Sequence, residues 1–133
     1  MSATVHVVAG ILYDARGRVL IAQRPAGKPL AGRWEFPGGK LAEGEGSYAG
    51  LVRELREELG VEVRAASPLM QYRVDYGERA VWLDTWVVSD WRGTVSGLDG
   101  QALKWVEPAG LPEEDILEAD RPIVEALMKR SCG

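Results

Sequence analysis

Three glutamates, Glu54, Glu57 and Glu58, stand at positions i, i+3 and i+4 of a stretch whose apolar residues recur at helical spacing. At about 100° per residue such a trio projects from one side of a helix, roughly 120° from the leucine stripe. Like charges at these separations destabilise a helix by about 0.2–0.5 kcal/mol per pair, so the cluster calls for a counter-charge. Two sources present themselves. Arg53 can pair with Glu57 one turn on, which would make the face an ordinary solvated one; alternatively a divalent cation can sit among the carboxylates. Upstream, Gly38-Gly39 and Glu45 lie on a segment able to fold back beside the helix and add a backbone carbonyl and a further carboxylate. An open, all-oxygen site of this kind suits magnesium, which keeps several waters and binds substrate phosphates. The chemistry it serves is phosphoryl transfer, where cations bridge phosphate oxygens and neutralise developing charge.

The remaining donors narrow the choice of metal. His6 is the single histidine and lies in an alternating apolar run, which reads as a strand side chain; Cys132, the single cysteine, sits beside the C-terminus and has no partner for a disulfide or a thiolate cage. Nitrogen and sulfur sites are thereby set aside, and hard cations, magnesium with manganese as a substitute, are the expected cofactors. Sixteen basic against twenty acidic residues leave a net charge of −4, the wrong sign for tracking a nucleic-acid backbone. An acidic small substrate is still compatible if a cation lies between the two sets of oxygens. No apolar run approaches the roughly 20 residues of a membrane-spanning helix, and nothing resembles a secretory signal, so neither membrane nor nucleic acid is expected as a partner and the cytoplasm is the expected compartment.

The elements that must position these groups are legible from period and punctuation. With 133 residues, 46% of them apolar, the chain suits a single domain over 1–133. Thr4–Tyr13 and Val19–Gln23 read as a hairpin turned by Asp14-Ala15-Arg16-Gly17. Arg24 to Arg33 is a loop rich in Pro and Gly that also carries Lys28, and Trp34-Glu35-Phe36 leads into Pro37-Gly38-Gly39. Ser47 is the expected N-cap of a helix to Leu59 with Tyr48, Leu51, Val52, Leu55 and Leu59 inward, and Gly60 stops it. Val61–Ala65, Leu69–Tyr76, Ala80–Val88 and Ala102–Val106 read as strands, with Gly77-Glu78 as a turn. Asp120-Arg121-Pro122 precedes a last helix over Ile123–Lys129, with Ile123, Val124 and Leu127 inward. The expected class is α/β (α+β): a mixed sheet sandwiched between helices, α/β/α.

From Gly39 the sequence runs five residues to Glu45, seven more to Arg53-Glu54-Leu55, then Glu57-Glu58, Gly60 and Val61. This pattern resembles the signature of the Nudix hydrolases at every fixed position. The likeness extends over nearly the whole chain to MutT-type members, through Arg24, Trp34-Glu35-Phe36-Pro37-Gly38-Gly39-Lys40 and the segment around Asp120. It implies the α/β/α Nudix fold and hydrolysis of a nucleoside triphosphate to the monophosphate and pyrophosphate, as in sanitising the pool of oxidised nucleotides such as 8-oxo-dGTP. It also implies that Glu54, Glu57 and Glu58 ligate the cation with the Gly38 carbonyl, that Arg53 orients the carboxylates, and that Glu45 assists as a further ligand. Asp99, in Gly97-Leu98-Asp99-Gly100-Gln101, occupies a loop resembling the one where MutT-type enzymes place a metal-binding or water-deprotonating glutamate; its other reading is a local Asx turn.

For the nucleoside, the resemblance points to Arg24, Phe36, Lys40, Tyr76 and Asp120. Arg24 can bind phosphate or a carbonyl with its guanidinium fork, or be a solvated loop charge. Trp34, Phe36, Tyr76 and Trp82 can wall the pocket or belong to the core. Asp120 aligns with the asparagine of enzymes selective for 8-oxo-guanine nucleotides, and aspartate only accepts hydrogen bonds when ionised. Accepting alone suits an exocyclic amine, and Gln101-Ala102-Leu103-Lys104-Trp105 with Asp120 is also similar to relatives acting on cytidine nucleotides. Asp120 can equally be the N-cap of the last helix. A Nudix enzyme acting on another nucleoside-diphosphate-linked substrate and a non-catalytic nucleotide-binding domain are the alternatives.

Overall fold

The structure, a computed structural model, describes residues 3–132, with no side-chain description for Ala3 or Cys132; the reading of Cys132 as incidental therefore lies outside the described residues. Along the chain run β1 (Ala3–Leu12), β2 (Val19–Gln23), β3 (Trp34–Glu35), β4 (Gly38–Lys40), α1 (Ser47–Leu59), β5 (Glu62–Tyr76), β6 (Arg79–Arg92), β7 (Leu103–Val106) and α2 (Arg121–Cys132), with short 3-10 turns over Pro108–Glu113 and Glu118–Asp120 before α2. The strands form two sheets, not one. The larger has the order β4-β1-β6-β5, the smaller β3-β2-β7. Strands β1 and β6 run parallel, and all other ladders are antiparallel, so the larger sheet is mixed.

Where the residues of β1 point explains both the sandwich and the failure of the expected hairpin. Val8 and Leu12 join Leu20, Leu51, Leu55, Leu59, Val61 and Val88 in a core closed by α1. Ala9 and Ile11 join Val19, Ile21, Phe36, Leu83, Val87, Ile123, Val124 and Leu127 in a second core closed by α2. A strand buried on both faces must be covered on both, which gives α/β/α layering. After the single Tyr13–Val19 bridge, β2 leaves β1 for its own sheet. Asp14 holds the turn, its Oδ1 accepting from the backbone N–H of Arg16 and Arg18 at 2.9 and 2.8 Å. The divergence of β1 and β2 opens the gap in which the candidate site lies.

Other boundaries shift for local reasons. The two strands expected on either side of Pro68 are one edge strand, β5, whose register slips at Val63/Ala65, Ala65/Ala66 and Pro68/Met70. Proline lacks an N–H and is tolerated at an edge and at bulges. Gly46, not Ser47, occupies the N-cap of α1 without a side-chain cap; the Ser47 hydroxyl instead accepts from Trp86 Nε1 at 2.8 Å. Gly60 ends α1 at φ 72°, as expected of a glycine in the left-handed region. Within α1 the buried residues are Gly50, Leu51, Leu55 and Leu59, whereas Tyr48 is exposed. No described helix is long and apolar enough to cross a membrane.

Leu55, with no exposed surface, sits at the centre of the core beneath α1. We expect Leu55→Ala to cost about 2–5 kcal/mol of folding free energy, read as a lowered urea midpoint; a cost below about 1 kcal/mol would mean that α1 is not held by this core.

Candidate active site

Strand β4 brings Gly38 and Gly39 beneath α1, and the absence of a side chain at Gly39 is what allows the approach. A Cβ there would lie 2.5 Å from Glu54 Oε2. Glu58 reaches the neighbouring residue, its Oε2 accepting from the Gly38 N–H at 3.1 Å. The acidic face of α1 is thus packed against glycine backbone at one wall of a cleft of about 590 Å³ lined by Gly38, Gly39, Lys40, Glu54, Glu57, Glu58, Asp99 and Gln101 on one side and by Arg24, Lys28 and Glu35 on the other. A concavity of about 780 Å³ elsewhere, lined by Tyr13, Arg16, Glu107 and Arg130, has no comparable acidic cluster and lies away from these groups.

Arg53 organises the acids. Its Nε and Nη2 fork onto Glu45 at 2.7 and 2.9 Å, Nη1 lies 3.1 Å from Glu54 and 3.0 Å from Glu57, and Nη2 donates to the Lys40 carbonyl at 3.1 Å. The fork and the Ala42 N–H hold the Glu45 carboxyl down at about 2. Glu45, expected as a further ligand, is therefore committed to Arg53 through both oxygens, because a bidentate carboxylate–guanidinium pair satisfies both partners at once. Burial first, and then the charge of Glu54, push the Glu58 carboxyl up to about 8. Burial raises Glu54 as well, against the pull of Arg53. Among the described residues no three metal-ligating side chains converge into a ready-made cage. Each carboxylate has its own protein partner instead: Glu54 and Glu57 lean on Arg53, and Glu58 on Gly38.

The substrate-side candidates separate into two groups. Arg24 and Lys40 line the cleft. Arg24 is not a free loop charge: its Nη1 lies 3.5 Å from Glu35 Oε1, and its buried Nε has no hydrogen-bond partner among the described residues. Asp99 lines the cleft too, and its turn is closed by the Gly100 N–H on the Gly97 carbonyl, so no Asx turn is needed to explain it. Phe36, Tyr76 and Asp120 do not line it. Phe36 is a core residue of the α2 side, as the alternative reading had it, Trp34 is partly buried against that core, and Tyr76 is exposed. Trp82 does not line the cleft either. Asp120 is buried, 8% exposed, and its Oδ2 accepts from the Phe36 N–H at 3.0 Å. It ties the start of α2 to the strand segment before Gly38 rather than capping α2. Burial, the larger influence, pushes its carboxyl up to about 7, and the charges of Glu35 and Arg24 act on it from beside the cleft.

The chain matches the family profile described as NUDIX domain over residues 4–127. It belongs to the NUDIX domain family. Over 124 residues it is 40% identical to the CTP pyrophosphohydrolase of Escherichia coli K12, covering 93% of this chain and 91% of that protein. Over 125 residues it is 30% identical to the 8-oxo-dGTP diphosphatase of the same organism, covering 94% and 97%. A solved structure from work on MutT of Aliivibrio salmonicida and Vibrio cholerae superposes with a TM-score of 0.85 at 33% identity, covering 96% of this chain and 98% of that one. The Nudix signature, Gly39 to Val61, thus runs from β4 through α1 and supplies most of one cleft wall. Outside it, Glu35 and Gln101 had not been singled out. Glu35 was hidden in a short apolar triplet, where alternation alone would have turned it opposite to its neighbours Trp34 and Phe36. Gln101 carries no periodic signal at all.

The Asp120 carboxyl gives the site a pH dependence whose sign follows from the buried group. Unfolded, it ionises near its ordinary 3.8; folded, it keeps its proton to about 7. Between these values the native state binds the extra proton, so stability from this group declines as pH rises from about 4 to about 7 and stays lower above. We expect Asp120→Asn, which keeps an acceptor for the Phe36 N–H, to gain stability over the wild type at pH 8 and not at pH 3.5, in urea titrations. Equal differences at both pH values would show that the carboxyl is not buried in its charged form.

Proposed function

We propose that this Nudix hydrolase is a metal-dependent nucleoside triphosphate pyrophosphohydrolase of the cytoplasm, converting NTP or dNTP and water to NMP or dNMP and pyrophosphate. The observation that carries the reading is the juxtaposition of Glu54, Glu57 and Glu58 with Arg24, Lys28 and Lys40 around one cleft. The printed names of the two Escherichia coli relatives support it over nearly the full chain. The residues fit a divalent cation: the donors are all oxygens, and Gly39 leaves a cradle for the Glu54 carboxylate that a Cβ would fill. Glu54, Glu57 and Glu58 with the Gly38 carbonyl would hold magnesium, with manganese as a substitute. Bound there, such an ion would supply neutralisation of the charge that develops on the substrate's phosphate oxygens.

The chain's own groups supply orientation and proton transfer. Arg53 keeps the carboxylates of Glu54 and Glu57 in register, at 3.1 and 3.0 Å. Arg24, Lys28 and Lys40 line the cleft and draw the polyphosphate into it. Asp99, exposed at the rim, accepts the proton of the attacking water as one bridging P–O bond breaks and the new P–O bond forms. The experiment is a panel of normal and oxidised nucleoside triphosphates with magnesium, scored for pyrophosphate against orthophosphate. We expect pyrophosphate, and we expect Glu57→Gln to fold normally and lower turnover by about 100-fold or more. Orthophosphate as product would reject the bond assignment; near-normal turnover of Glu57→Gln in saturating magnesium would remove Glu57 from the site.

The relatives' names point to two bases, cytosine and oxidised guanine, and the buried Asp120 carboxyl bears on the choice. Held up at about 7, it has both a protonated form that can donate and an ionised form that only accepts near neutral pH. Because it holds the Phe36 N–H and does not line the cleft, it acts on the choice of base through the strand segment that leads to Gly38. We expect Asp120→Asn to reorder kcat/KM between 8-oxo-dGTP and CTP more than it changes the highest kcat; an unchanged order would leave Asp120 a purely structural tie.

A further inference from the structure

The last carbonyls of a helix have no partner inside it and must find one outside. At the end of α1 the Gly60 N–H meets the Arg56 carbonyl, and the segment between β6 and β7 provides for those of Glu58 and Leu59. Ser96 N–H donates to the Leu59 carbonyl at 3.0 Å and Leu98 N–H to the Glu58 carbonyl at 3.0 Å. Gln101 adds a second bond to the same Glu58 carbonyl, from Nε2 at 3.2 Å. Its Oε1 accepts from the Asp99 N–H at 2.9 Å. The two partners fix the amide's orientation, because a carbonyl must meet the NH₂ and an N–H must meet the oxygen. Beyond it, the Ala102 carbonyl accepts from the Gln23 N–H at 2.9 Å, anchoring the far side of the loop to β2.

Glu58 therefore serves the cleft twice, with its carboxylate inside and its carbonyl as the mooring of the loop that carries Asp99. We infer that Gln101 is a positioning residue for the hydrolytic reaction, its one amide tying the Asp99 backbone to the backbone of Glu58 so that Asp99 stays at the cleft wall beside the acidic face. The inference rests on the pyrophosphohydrolase reading and on Asp99 as proton acceptor. Asp99 is itself exposed and lies between Leu98 and Gly100; the Leu98 N–H on the Glu58 carbonyl and the Gly97–Gly100 turn hold its neighbours, and the Gln101 amide is what holds its own N–H. A displacement of about 1 Å in a reacting group is enough to cost on the order of 100-fold in rate.

The test is a double-mutant cycle on pyrophosphate release with magnesium, using the wild type, Gln101→Ala, Asp99→Asn and the double variant, together with amide hydrogen exchange of Leu98 and Asp99 read by NMR in the metal-free proteins. We expect Gln101→Ala to lower kcat by about tenfold or more with KM within about threefold, and to speed exchange at Asp99. In the Asp99→Asn background the same change should alter kcat by less than about twofold, since the residue acts through Asp99. Gln101→Glu, which keeps the size and the acceptor for Asp99 N–H but not the donor to Glu58, guards against a folding defect and should show the same dependence on Asp99. An unchanged kcat, or equal losses in both backgrounds, overturns the inference. A wild type that releases no pyrophosphate from any triphosphate overturns the functional reading first and the role of Gln101 with it.

Discussion

Arg53 stands among Glu45, Glu54 and Glu57, donating to Glu45 and Glu57, forming an ion pair with Glu54 and also bonding the Lys40 carbonyl. One guanidinium thereby links the loop after β4 to the helix that follows it, and carries the counter-charge that a helix face with acids three and four residues apart lacks. An arginine suits this position because its planar fork has five donors and stays charged. The arrangement keeps the acidic face without burying an uncompensated charge: Glu54 and Glu57 share the guanidinium, and Glu58 leans on a backbone N–H, its carboxyl held up by burial.

The two sheets explain why the cleft lies where it does. Because β1 is buried on both faces, each helix has its own core, and the strands that follow β1 must separate to reach both. The gap between β4 at the edge of one sheet and β2 and β3 in the other brings cationic side chains from the loop after β2 opposite the acidic face of α1. Stacking of Trp91 on Trp105, with centroids 6.4 Å apart, joins β6 to β7 on the α1 side. Asp120 belongs to the other core, where its bond to Phe36 N–H spans the chain and sets the strand segment that ends in Gly38.

Asp120 and Gln101 show two ways in which a polar residue outside a motif can govern it. Each uses a side chain to hold a backbone group of a segment that contributes to the cleft: Asp120 holds Phe36 ahead of the glycines, and Gln101 holds Glu58 and Asp99. Buried polar groups of this kind must be satisfied, and the satisfaction specifies geometry as much as it stabilises.

Local spacing was enough to read α1, its inward leucines, the acidic face, the Gly60 stop and the apolar stripe of α2, because a helix converts sequence separation directly into direction. The glycine pair, Arg53 and the glutamates followed as one constellation for the same reason, each lying within a span that a single turn and helix bring together. Contacts between distant segments followed other rules. That β1 and β2 part into separate sheets depends on two cores competing for one alternating strand; that Ser47 serves Trp86 rather than a cap, and Asp120 serves Phe36, depends on neighbours 39 and 84 residues away. That Glu45 pairs with Arg53 through both oxygens likewise depends on how the loop after β4 closes on the helix. These outcomes come from burial and from hydrogen-bond satisfaction across the fold, and no period along the chain encodes either.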